Sequence, residues 1–186
     1  MRHLRGARVS LKQLRSLLFI TAMALAIGAG RVQAQTQAPR SLAKAKLSEA
    51  TAAAKKWRAD AALIQIAANR VADDGTQRLW KYGFFSPAAK TCLIVQVAGT
   101  TRTTETGGPL CESRALGNFM DSNKAIQIAR KNGIQRTSVT MVVSMVPTRK
   151  GPRPVWIVME GSGMNGGDVS VDIDAETGEV LNTSIM

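Results

Sequence analysis

The chain carries one histidine, His3, inside an N-terminal segment that reads as an export signal, so the remainder of the chain holds none. Nucleophiles activated by histidine, histidine general bases and histidine metal sites are thereby removed from the exported protein. Two cysteines, Cys92 and Cys111, fall short of the ligands of a structural zinc site. Gly161-Ser162-Gly163-Met164-Asn165-Gly166 satisfies a dinucleotide-type glycine pattern, but that chemistry needs a helix opening after it so that the helix N-terminus meets the phosphates. A strand is expected to follow instead, and the segment reads as a hairpin loop. Asp172, Asp174, Glu176 and Glu179 place four carboxylates within eight residues, the ligand type calcium prefers. Counted from Asp172, however, the sixth position of an EF-hand loop is Thr177, and Gly178 comes one residue late, so this is a solvated strand face and turn. Met120, Met141, Met145, Met159 and Met164 could offer thioethers to copper(I), yet Met141 and Met145 share an alternation with Val139 and Val143 and read as core. No catalytic, cofactor-binding or metal-ligating residue is assigned, no cofactor is expected, and binding is favoured over turnover.

Charge is what remains. The 186 residues hold 25 Lys+Arg against 13 Asp+Glu, a formal +12. Six of the basic residues and none of the acids lie in 1–34. There a basic stretch (2–15), an apolar stretch (17–30) and Val32-Gln33-Ala34 match a secretory signal, with cleavage expected after Ala34 and a periplasmic or secreted location. The apolar stretch is short for a membrane span. Residues 40–153 hold every other basic residue, whereas 160–186 hold six acids and no base. Lys44, Lys46, Lys55, Lys56 and Arg58, together with Arg149, Lys150 and Arg153, form the candidate basic binding surface, suited to an acidic protein or to anionic lipid or polymer. Export makes nucleic acid an unexpected partner. It also places Cys92 and Cys111 in an oxidising compartment, where one disulfide closing a loop of about twenty residues would add about 3 kcal/mol.

The elements that must position these residues follow from periodicity. Residues 35–40 read as a flexible tail. Ala50, Ala53, Ala54 and Trp57 recur at helical spacing in a first helix reaching from Ser41. Residues 63–71 and 76–85 then form a hairpin about Asp73-Asp74-Gly75, with Trp80, Tyr82 and Phe84 alternating toward a core, and 91–97 a third strand before a Thr- and Gly-rich loop, 99–109. A second helix starts at Asp121 or Ser122, with Ala125, Ile128 and Ala129 as its stripe, and stops at Gly133. Strands 137–146, 155–159 and 168–174 follow it, with a basic turn at 147–154. The fold class is α+β: tandem αβββ units, 41–118 and 119–186, with helices packed on antiparallel sheets in two layers and joined into one body.

Asp172-Ile173-Asp174-Ala175-Glu176-Thr177-Gly178-Glu179-Val180-Leu181 resembles the closing strand and turn of a PepSY domain, in which a D-A-x-T-G-x-V-L hairpin needs glycine at its left-handed position and Val180 and Leu181 re-enter the core. The resemblance runs from Asp121 to Leu181, and more loosely through the first half. It implies an exported or membrane-associated, non-catalytic module of the kind found in propeptides of thermolysin-like proteases, one that binds or inhibits a peptidase. It carries no catalytic residue onto this chain. The functional expectation is an exported binding module engaging a protein partner, a peptidase foremost, through sheet edges or the basic surface. The alternative is an envelope protein adhering to anionic lipid or polymer.

Overall fold

The computed structural model describes residues 38–106, 114–161 and 169–185. The expected signal segment, Cys111 and most of the glycine-patterned loop lie outside them. Helix α1 (Leu47–Trp57) precedes β1 (Ala62–Val71), β2 (Trp80–Ser86), β3 (Thr91–Ala98) and β4 (Thr100–Thr106); helix α2 (Ser122–Lys131) precedes β5 (Val139–Thr148), β6 (Gly151–Glu160), β7 (Val169–Asp174) and β8 (Val180–Ile185). All eight strands join one antiparallel sheet in the order β4-β3-β2-β1-β5-β6-β7-β8.

Each helix is therefore followed by four strands, where three were expected, and the two halves share a sheet through the β1–β5 pairing. The additional strands are the two edges. β4 is Thr-Thr-Arg-Thr-Thr-Glu-Thr, exposed along nearly its whole length, so its β-branched residues favour extension without any apolar alternation to announce it. Other boundaries also shift. The first helix begins at Leu47, not Ser41, because 41–46 run as a bridge to Gln77 and a turn; β2 begins at Trp80; and the basic turn shrinks to Arg149-Lys150, flanked by long strands. Pro152 and Pro154 are accommodated in β6 because β7 pairs only with Val155 onward, leaving no neighbour there that needs their missing N–H groups.

Both helices pack on one face. Ala50 and Ala54 of α1 and Ala125, Ile126 and Ala129 of α2 are buried in one cluster with Ile66, Trp80, Tyr82, Phe84, Leu93, Val95, Met141, Val143, Trp156, Val158, Val171 and Ile173. Alanines on the helices let large sheet side chains fill the space between layers. The two halves repeat one device. The Trp80 indole donates to the Ser41 carbonyl at 2.8 Å and the Trp156 indole to the Met120 carbonyl at 2.9 Å, so each helix's lead-in is pinned by a fully buried tryptophan of its own second strand.

Ser122, the first residue of α2, ties the halves together. Its hydroxyl donates to the Gly75 carbonyl at 2.8 Å and accepts from the Ala43 amide at 3.0 Å, while Asp121 accepts from the Lys44 amide at 3.0 Å. Gly75 has φ +80, and a Cβ there would lie 2.6 Å from Asn123 backbone, so glycine is required both for conformation and for space.

Candidate functional site

The acidic hairpin of the C-terminal half is held by its own carboxylate. Asp174, which has no exposed surface, accepts from the amides of Glu176 at 3.0 Å and Thr177 at 2.9 Å through Oδ1, and from Arg153 Nη1 at 2.8 Å through Oδ2. Burial opposes its ionisation, but the Arg153 guanidinium and the turn amides outweigh that, and the carboxyl stays below its ordinary value. Ala175, also fully buried, donates to the Pro154 carbonyl and accepts from the Met120 amide, so the turn is joined to β6 and to the lead-in of α2. Gly178 completes the turn at φ +82, beneath Ile128 and Met120. The four carboxylates do not converge: Asp174 faces Arg153, Asp172 accepts from Asn182 at 3.4 Å, Glu179 lies 3.7 Å from Lys150, and Glu176 is exposed in the turn.

Between this turn and the β5–β6 tip, on the side of the sheet away from the helices, lies a groove of about 570 Å³. Val146 and Leu181 provide its apolar surface, with Val155 buried beneath; Arg149, Lys150 and Arg153 line it beside Asp172 and Glu179. Leu181 is 39% exposed, the one large apolar side chain so exposed among the described residues. This corrects its expected return to the core: the register slips between Asp172 and Ile173 against β8, and Val180 alone packs inward. β8 ends the sheet, so its outer backbone groups face no described strand.

Three of the expected basic residues, Arg149, Lys150 and Arg153, thus meet at one groove. The other five lie around α1. Lys44 sits 4.5 Å over the Phe119 ring, Lys46 is 3.5 Å from Glu49, Lys55 donates to the Ala59 carbonyl at 2.8 Å, Arg58 lies 5.9 Å from the Trp57 ring, and Lys56 is exposed in the last helical turn. Arg153 is largely committed to Asp174, leaving Arg149 and Lys150 as the exposed cations of the groove. Val146, Leu181 and Asn182 were absent from the sequence-based site, since only pairing across strands brings the hairpin and the edge together. Cys92 is buried on β3 beside Ile64 and Phe85, on the helix-free face.

Residues 120–183 match the model of the PepSY family, described as "Peptidase propeptide and YPEB domain", a span that runs from the lead-in of α2 into β8. This bears out the resemblance read from Asp121 to Leu181. No curated protein and no solved structure matches the chain. No described helix is long and apolar enough to cross a membrane.

Proposed function

We propose that the protein is an exported, non-catalytic module that binds a protein partner, a peptidase, by adding an extended segment of that partner to the outer edge of β8. The observation that carries this reading is the position of β8: an edge strand without a charged side chain, entered by the PepSY-matching segment as far as Thr183 and bordering a groove with apolar surface and cations. Main-chain bonds along such an edge supply affinity, and pockets for alternate side chains supply selectivity. Leu181 and Val146 would receive an apolar side chain, and Arg149 and Lys150 an acidic one. Regulation of the peptidase follows if the captured segment belongs to its substrate cleft.

The test is stoichiometric binding and inhibition, measured with purified peptidases of the thermolysin-like class at low and high salt. Proline is then placed at Asn182 and, separately, at Thr183. Neighbouring N–H groups on an antiparallel edge point alternately in and out, so one of the two substitutions removes an outward donor. Loss of inhibition with that variant, with the fold retained, supports the reading. A salt-resistant complex indifferent to both prolines would end it, and capture that vanishes with salt and extends to anionic vesicles would favour the adhesive alternative.

A further inference from the structure

We infer that two copies of this chain associate through the helix-free faces of their sheets, around a two-fold axis running along the strands. The inference does not use β8's outer edge, although Asp172 and Asn182 of the row also line the groove beside that edge. One row of directly paired residues crosses the whole face: Arg102, Gln96, Lys81, Ala67, Val142, Ile157, Asp172 and Asn182, one from each strand in spatial order. Strand spacing makes this row about 34 Å long. It begins with two cations flanking Gln96, passes through three apolar residues and ends at a carboxylate and an amide. Lys81 and Arg102 are exposed and make no ion pair among the described residues, and the face of β1–β4 presents no described carboxylate, because Glu105 stands opposite Leu93 on the helix side.

Reversed upon itself, the row sets Asp172 over Gln96, between Lys81 and Arg102, with Lys81 over Ile157 and Arg102 over Asn182. A two-fold axis along the strands lays Ala67 and Val142 of one copy over Val142 and Ala67 of the other, and turns the cationic end of each row toward the other copy's Asp172. Such an interface is isologous and closes at the dimer. Ala67, Val142, Ile157 and neighbouring Met159 are half-buried, and no described helix or strand lies over them, so apolar surface at the centre would be removed from water while the charges at either end set the register. Two sheets packed in this way need only the ordinary separation of about 10 Å.

Sedimentation of the purified protein across a concentration series tests this. A monomer–dimer equilibrium that weakens about tenfold in Lys81→Glu/Arg102→Glu, and likewise in Asp172→Lys, with recovery when all three are combined, is the expected result. The substituted side chains are surface-accessible, and circular dichroism verifies that each variant is folded. A monomer at every concentration overturns the inference. So does a dimer that ignores these charges, one that is lost with the proline variant that blocks the outer edge of β8 and hence built on that edge, or a monomer whose Lys81 and Arg102 instead govern binding to anionic vesicles.

Discussion

Arg153 places Nη1 2.8 Å from Oδ2 of Asp174, a carboxylate with no exposed surface, and so joins β6 to the turn that launches β8. The D-A-x-T-G-x-V-L signature is thereby architectural: its aspartate organises the turn, its alanine locks the turn to two other segments, and its glycine takes the left-handed position.

Removing either partner leaves the other without its match. Asp174→Ala strips the turn amides of their acceptor, and Arg153→Ala leaves a buried carboxylate unpaired. Each should cost about 3 kcal/mol in denaturant unfolding, with Arg153→Lys intermediate because the guanidinium geometry is lost but the charge is kept.

Acid should destabilise the protein through the same group. The folded-state value of Asp174 is depressed, so its contribution is complete above the ordinary value of 3.8 and disappears as pH falls further, through the folded value. Asp60, held by the Ala88 amide and Ser86 hydroxyl, and Asp74, held by the Thr76 hydroxyl and amide, act in the same direction. Melting temperatures should therefore fall below about pH 4, and Asp174→Asn should flatten that dependence.

Two glycines separate space from conformation. Gly75→Ala meets Asn123 backbone and a positive φ together and should cost more than about 2 kcal/mol, whereas Gly151→Ala, at φ +100 with nothing within 4 Å, should cost about 1 kcal/mol. Equal losses in thermal unfolding would contradict the contact between the Gly75 turn and α2.

Ser122→Ala deletes the hydroxyl shared by Gly75 and Ala43 at a fully buried position, and a loss of about 2 kcal/mol is expected from the amide and carbonyl left unpaired. Hydrogen exchange at the Ala43 amide should accelerate in this variant.

Pairing of Cys92 with Cys111 remains our proposal for the exported protein. Titration of the denatured, unreduced chain should find no thiol, and reduction should lower stability by about 3 kcal/mol. Two titratable thiols would exclude the bond.

Patterns that repeat along the chain were legible in the residues alone. Trp80, Tyr82 and Phe84 alternate because one strand face meets a core; Ala125 and Ala129 recur because one helix face does; and Asp174 to Gly178 spell a turn whose backbone conformations few other residues accept. These are local consequences of side-chain spacing, and with them came the α+β class and the C-terminal family resemblance. The edge strands carried no such mark, since β4 is exposed along nearly its whole length and β8, Val-Leu-Asn-Thr-Ser-Ile, does not alternate apolar with polar residues. The groove and the charge-ordered row depended on which strands become neighbours. Hydrogen-bonded pairing, through β1 with β5 above all, brings residues far apart in sequence onto one face, and no periodicity within a single segment encodes that choice.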